Sequence, residues 1–139
     1  MFKRIIFAHS ANPAAERALL YLEHIARREQ SEVIVLHVYE SPERYFDTHG
    51  YQALVDTLEA VAQEVVNDTV EHLQKVGVSA LGMVRTGSPA RIILETAQSE
   101  DIALIVLGTR GPSSVTDILL GDVATEVLRH SQCPVFLVP

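Results

Sequence analysis

The glycine-rich stretch from Gly108 to Ala124, GTRGPSSVTDILLGDVA, carries the residue types best suited to holding an anion. It follows an apolar run, IALIVL, and it ends where a helical pattern begins. Glycines let backbone N–H groups approach a ligand, and a helix N-terminus adds unpaired donors and positive partial charge. No Gly-Lys-Ser/Thr follows the glycines, so this is not a Walker loop. Two interpretations stay open: a phosphate loop, or a strand-to-helix connection that needs glycine for its backbone alone.

The histidines and serines give no sign of a metal or catalytic centre. Four of the six histidines show no ligand-like spacing: His24, His49, His72 and His130. His9 is interpreted as a wall residue of a crevice, and His37, inside an apolar strand, as a satisfied core histidine. Ser10 lacks the Gly-x-Ser-x-Gly context of a hydrolase nucleophile. Because no general base or metal cluster is visible, the sequence favours a binding protein over an enzyme.

The composition is that of an ordinary globular protein. The chain has 139 residues, 47% hydrophobic and 21% charged, which predicts a single domain over residues 1–139. A net charge of -7 and the lack of Trp argue against nucleic acid or an anionic membrane as partner. No apolar stretch approaches the ~20 residues that span a bilayer. Cys133 is the only cysteine, so a reducing, cytoplasmic location is expected.

Apolar runs alternate with helical patterns along the whole chain. The predicted strands are Ile5–Ala8, Val33–Val38, Val78–Thr86, 102–107 and Pro134–Val138. Helices are predicted after Asn12-Pro13 and Ser88-Pro89, where a capping side chain precedes proline at the first helical position. The order β-α-β-α-β-α-β-α-β predicts a parallel, doubly wound sheet with right-handed crossovers. In such sheets the ligand lies at the carboxyl ends of the strands.

Several segments taken together match the pattern of a known family. They are Leu36-His37-Val38, Gly87-Ser88-Pro89-Ala90, the strand and loop from Asp101 to Gly111, and the closing Cys133–Pro139. With these segments the chain resembles the universal stress protein family over its whole length. The resemblance implies a Rossmann-like α/β fold, an open five-stranded parallel sheet of order 3-2-1-4-5 with helices on both faces. It also implies homodimers paired through the last strand, Val135–Val138, and an adenine-nucleotide crevice between strands one and four.

The resemblance assigns the crevice residue by residue. Strand one would contribute Ala8, His9 and Ser10, and the backbone of Val38 would recognise adenine. The loop would place Leu107, Gly108, Arg110 and Gly111 around ribose and phosphate. The outer phosphates would lie against Gly121, Asp122, Val123 and Ala124. The implied ligand is AMP or ATP, with Mg²⁺ only if a triphosphate binds.

The chain departs from the family pattern at three of these positions. The family usually has Asp where Ser10 stands, and hydroxyl residues where Asp122 and Ala124 stand. A carboxylate at position 122 would repel a triphosphate. Asp122 is also expected to cap its helix and so occupy the N–H groups that a phosphate would use. We therefore expect a weakened site that still accepts AMP. The alternatives are a dimeric interaction module that binds no nucleotide, and a slow ATPase on the same scaffold.

Overall fold

The structure is a computed structural model that describes residues 1–109 and 121–139. The strands are β1 (Arg4–Ala8), β2 (Glu32–Tyr39), β3 (Ser79–Thr86), β4 (Leu104–Gly108) and β5 (Val135–Val138). The helices are α1 (Pro13–Glu29), α2 (Tyr51–Lys75), α3 (Pro89–Ser99) and α4 (Asp122–His130), with a short 3-10 helix at Glu43–Tyr45. In the described parts of the chain, no helix is both long enough and apolar enough to cross a membrane.

The strands form one parallel sheet in the order β3-β2-β1-β4-β5, which confirms the predicted fold. In the register, Phe7 on β1 is partnered by Val35 on β2 and by Val106 on β4. These inner strands are continuous apolar runs because helices cover both faces of the sheet. The strands β3 and β5 lie at the two edges, and β3 is the more exposed of them.

Two apolar cores lie on opposite faces of the sheet. Alternate residues of β1 supply them: Ile5 and Phe7 point to one face, and Ile6 and Ala8 to the other. The first core packs against α1 and α2, and the second against α3 and α4. Fully burying one large apolar side chain contributes about 1.5–3 kcal/mol, so these layers hold the strand ends in fixed positions.

The helix starts agree only in part with the sequence predictions. Asn12 caps α1 as predicted, because its side chain accepts the Ala15 N–H at 3.0 Å and Pro13 follows at the first helical position. The same prediction for α3 is wrong: within the described chain the Ser88 side chain makes no capping hydrogen bond. Ser88 is exposed, so water can satisfy both its hydroxyl and the first N–H groups of α3.

Candidate functional site

A cavity of about 250 Å³ opens at the carboxyl ends of β1, β2 and β4, beside the first turn of α4. Every predicted site residue that the structure describes lines it: Ala8, His9, Ser10, Val38, Leu107, Gly108, Gly121, Asp122, Val123 and Ala124. The other two predicted residues, Arg110 and Gly111, lie outside the described residues. The cavity lies where the chain leaves β1 towards β2 on one side while β4 flanks β1 on the other, which is the switch point of the sheet.

A larger groove of about 640 Å³ lies between α3 and α4. Its walls carry exposed charged side chains that already pair with one another, such as Arg91 with Glu95 at 3.1 Å. Ligand sites usually have apolar walls with a few convergent polar groups, and the smaller cavity has that character. Among residues 1–109 and 121–139, no three His, Cys, Asp or Glu side chains are grouped so that they could hold a metal ion.

Among the described polar residues that line the cavity, His9 is the least exposed, with only 5% of its surface accessible. Its backbone N–H donates to Leu36 O at 2.8 Å, and its ring Nδ1 accepts the Ala11 N–H at 3.0 Å. An accepting Nδ1 carries no proton, so neutral His9 is protonated at Nε2, 4.0 Å from Glu16 Oε1. Burial lowers the pKa of His9, while Glu16 acts to raise it and His37 to lower it further.

His37 lines the cavity although the sequence suggested a core histidine. It is half-buried, and its Nδ1 lies 2.6 Å from the His9 carbonyl oxygen. A carbonyl can only accept, so Nδ1 of His37 carries a proton. The apolar residues around His37 in the sequence favoured a core position. Its place next to Val38, at the carboxyl end of the strand, could have predicted that it lines the cavity. The lining also includes residues that the resemblance did not assign to the crevice: Asn12, Leu36, Pro89, Ile93 and Thr109.

The turn between β1 and α1 forms one wall of the cavity. Ala11 has φ 58°, in the left-handed region that side-chain-bearing residues seldom adopt. The bond from its N–H to the His9 ring holds it from one side. On the other side, the Asn12 cap fixes the first turn of α1. The turn is therefore held at both ends by side-chain hydrogen bonds, one to the Ala11 N–H and one to the Ala15 N–H.

Gly108 is required by helix packing. A Cβ built on Gly108 would lie 2.6 Å from the backbone carbon of Ala14 and 2.7 Å from its oxygen. Real Cβ atoms essentially never approach backbone atoms so closely, and a backbone cannot move aside as a flexible side chain can. Of the two interpretations of the glycine stretch, the backbone one therefore accounts for Gly108 by itself.

The N-terminus of α4 faces the cavity, and none of the described side chains caps it. Gly121 occupies the cap position with φ 85° and ψ 157°, a conformation open almost only to glycine. The expectation that Asp122 caps α4 is wrong: none of the described side chains forms a capping bond there. Asp122 is the first helical residue, one position after the place from which a cap oxygen reaches the next N–H groups. Ala124, 3% exposed, belongs to the apolar core, so no hydroxyl stands at that position.

Comparisons with known proteins show what the chain is similar to. The family model described as "Universal stress protein family" matches residues 1–139. The universal stress protein YxiE of Bacillus subtilis is 30% identical over 149 residues, covering 99% of both chains. The structure of protein MJ0577, from Methanocaldococcus jannaschii, has a TM-score of 0.86 at 28% identity, over 99% of this chain and 96% of that one. A universal stress protein from Archaeoglobus fulgidus, solved in complex with dAMP, shares the fold, with a TM-score of 0.73 at 23% identity and coverage of 100% and 98%.

Proposed function

The chain belongs to the universal stress protein family, and we propose that it is a cytoplasmic protein of stress adaptation that binds an adenine nucleotide. The proposed site is the cavity at the carboxyl ends of β1 and β4. One observation carries the proposal: the predicted binding residues that are described converge on this cavity, next to a helix N-terminus that no described side chain caps. A helix end of this kind attracts phosphate through its N–H groups and its dipole.

The lining offers the chemistry that a nucleotide requires. Leu36, Val38 and Ile93 provide an apolar surface for a base, and the first turn of α4 provides donors for a phosphate. The Archaeoglobus fulgidus protein, which has the same fold, was solved in complex with dAMP. That complex supports a nucleoside monophosphate as a ligand of suitable size and charge for this chain.

We propose that a monophosphate binds more tightly than a triphosphate. Asp122 lies exposed at the start of α4, and the chain carries a net charge of -7. Both repel the additional charge of ATP, whereas AMP brings fewer charges to the same helix end. Mg²⁺ is expected only with a triphosphate, where it would offset part of this repulsion.

Calorimetric titration with AMP and with ATP-Mg²⁺ tests the proposal. Asp122→Ser removes the carboxylate from the cavity, and Glu126→Ser removes an equal charge one turn later on α4, outside the described lining. We expect Asp122→Ser to raise the affinity for ATP about fivefold, which corresponds to ~1 kcal/mol of relieved repulsion. The Glu126→Ser control should change it much less.

Each outcome has a definite meaning. Micromolar binding of ATP by the unaltered protein would contradict the weakened triphosphate site. Absence of both AMP and ATP binding at millimolar concentration would contradict nucleotide binding altogether and would favour a dimeric interaction module. Steady Mg²⁺-dependent turnover of ATP would instead favour a slow ATPase.

We also propose that the protein forms a homodimer through β5, Val135–Val138. β5 is an edge strand that pairs with β4 alone among the described strands. The bonds from Ile105 N–H to Pro134 O and from Thr109 N–H to Val138 O leave the backbone groups of Val135 directed away from β4. Unpaired backbone groups along an apolar edge strand favour pairing with a second copy.

Sedimentation of two proline variants tests the dimer. Val135→Pro removes a donor that faces away from β4, so it should abolish edge pairing while leaving the sheet intact. Val84→Pro is the matched control on β3, at the opposite edge of the sheet. Alternate residues of β3 bond to β2, as the Gly87 N–H does to Tyr39 O, and Val84 falls between them. The Val84 N–H therefore also faces away from the sheet. A monomer from Val135→Pro and a dimer from Val84→Pro are expected. A monomeric unaltered protein at micromolar concentration would overturn the dimer.

A further inference from the structure

We propose that His9 is a positioning residue: its ring holds Ala11 in the left-handed conformation, and this makes one wall of the cavity dependent on pH. The effect on ligand binding rests on the proposed nucleotide function. The effect on the turn does not, because it is a property of the protein without ligand. The juxtaposition that carries the inference is a buried imidazole acceptor two residues before an alanine with positive φ.

Ala11 needs outside support to keep its conformation. At φ 58° its Cβ is crowded by the neighbouring carbonyl oxygen, a strain that glycine would not feel. The strain is opposed by the hydrogen bond of 3.0 Å between the Ala11 N–H and Nδ1 of His9. His9 itself is held in place by its backbone bonds to β2, through its N–H to Leu36 O and through its carbonyl to the His37 ring. The imidazole therefore links a fixed strand end to a strained turn.

Protonation of His9 removes the acceptor on which the turn depends. Both ring nitrogens of an imidazolium are donors, so protonated Nδ1 would face the Ala11 N–H, donor against donor. Three titratable groups of the described residues face His9 or line the same cavity: Glu16 on α1, His37 on β2 and Asp122 on α4. Glu16 stabilises the Nε2 proton at 4.0 Å but cannot replace the lost bond at Nδ1. Burial opposes the charged form, so the switch operates on the acid side of neutrality.

The consequence lies in the cavity wall. Ser10 and Asn12 both line the cavity and flank Ala11. When the bond from Ala11 to His9 is broken, Ala11 can leave the left-handed region and carry Ser10 with it. A ligand that contacts this wall is then bound less tightly at acid pH than at neutral pH.

Three substitutions separate the acceptor, the charge and the strain. His9→Asn keeps an acceptor, because an Asn side-chain oxygen bonds readily to the N–H two residues on, and it does not titrate. His9→Ala removes both the acceptor and the charge. Ala11→Gly removes the strain, so the turn no longer needs the bond. The double variant His9→Ala/Ala11→Gly asks whether glycine rescues the loss.

The first measurement uses the protein without ligand. Ring ¹⁵N shifts should show neutral His9 protonated at Nε2, and Ala11 amide exchange should accelerate about fivefold or more in His9→Ala, the factor expected for loss of one hydrogen bond. In His9→Asn the Ala11 amide should still exchange slowly at neutral pH. At acid pH it should keep this protection, whereas the unaltered protein should lose it. Protonation of neutral His9 at Nδ1, or unchanged Ala11 exchange in His9→Ala, would overturn the proposal. Because no nucleotide is involved, this result is independent of the proposed function.

The second measurement is AMP affinity between about pH 5 and pH 8, the range in which histidines titrate. The titration of AMP itself is common to all variants and cancels when they are compared. On acidification the unaltered protein should lose about fivefold more affinity than either His9→Asn or Ala11→Gly. The double variant should bind more tightly than His9→Ala alone. Equal pH profiles for the unaltered protein, His9→Asn and Ala11→Gly would contradict the link between the turn and the site.

Discussion

Of the three described helices that begin beside the cavity, α1 and α4 begin in opposite ways. The start of α1 is capped, because the Asn12 side chain accepts the Ala15 N–H and Pro13 has no N–H. The start of α4 has Gly121 at its cap position and none of the described side chains capping it. At α1 the Ala15 N–H is already bonded and Pro13 has no N–H, whereas no described side chain takes the first N–H groups of α4. The contrast favours the α4 side as the phosphate end of the proposed nucleotide site.

The two described glycines of the cavity, Gly108 and Gly121, are glycine for different reasons. Gly108 must be glycine because α1 crosses so close to it that no side chain can be accommodated. Gly121 must be glycine because its backbone angles, φ 85° and ψ 157°, are open almost only to glycine. One glycine serves packing and the other serves the path of the chain into α4. The following predictions test this difference between the α1 side and the α4 side.

The largest effect is expected from Gly108→Ala. The new Cβ would meet the Ala14 backbone at 2.6 Å and 2.7 Å, and forcing α1 away should cost about 3 kcal/mol in the free energy of unfolding. Gly50→Ala is the control, because Gly50 has φ 88° but nothing within 4 Å of its would-be Cβ. It should cost only about 1 kcal/mol of left-handed strain. Urea unfolding measures both, and equal losses would contradict the packing role of Gly108.

The next effect is expected from Gly121→Ala. Alanine is strained at φ 85° and ψ 157°, so the protein should lose about 2 kcal/mol of stability. Because the strain falls at the start of α4, AMP affinity should fall as well. Urea unfolding and calorimetry on the same preparation give both numbers. Unchanged AMP affinity in a folded variant would weaken the assignment of the anion-binding end to α4.

A smaller effect is expected from Asn12→Ala. Loss of the cap at α1 should lower the free energy of unfolding by about 1 kcal/mol, while Asn12→Ser, which can still cap, should lose only part of this. AMP affinity should change less than it does in Gly121→Ala, since the proposed phosphate position is at the start of α4 and not at α1. If Asn12→Ala lowered AMP affinity more than Gly121→Ala did, the phosphate would be bound at the start of α1 and not at the start of α4.

The smallest effect is the pH dependence contributed by His9. The folded state lowers the pKa of His9 below its ordinary value of 6.5, chiefly by burial. Its contribution to stability is therefore full above pH 6.5 and is lost as pH falls from 6.5 through the folded pKa, because the unfolded chain takes up the proton first. Urea unfolding at several pH values should show less acid loss for His9→Asn. A steeper acid loss in that variant would contradict the sign.

The sequence predicted the alternation of strands and helices because apolar runs and helical periodicity are local properties. It also predicted the Asn12 cap, since an Asn side chain can accept the N–H three residues on and Pro suits the first helical position. The same reasoning failed at Ser88, where an exposed hydroxyl has water as an alternative partner. It failed at Asp122, where a shift of one residue along the helix start changes a cap into the first helical residue. The assignment of the site residues, including Arg110 and Gly111, stays a prediction.

By itself, the sequence determined the β-α alternation, and that alternation indicated the carboxyl end of the sheet as the place to inspect. The strand order came from the resemblance to a family. Only the tertiary structure decided why Gly108 is glycine, because the atoms that exclude a side chain belong to Ala14, far away in the chain. Only the tertiary structure joined His9 to His37 across two strands. Patterns along a chain record which residues prefer burial or a helix start. Distances between residues remote in sequence arise only when the strands pair and the helices pack on the sheet.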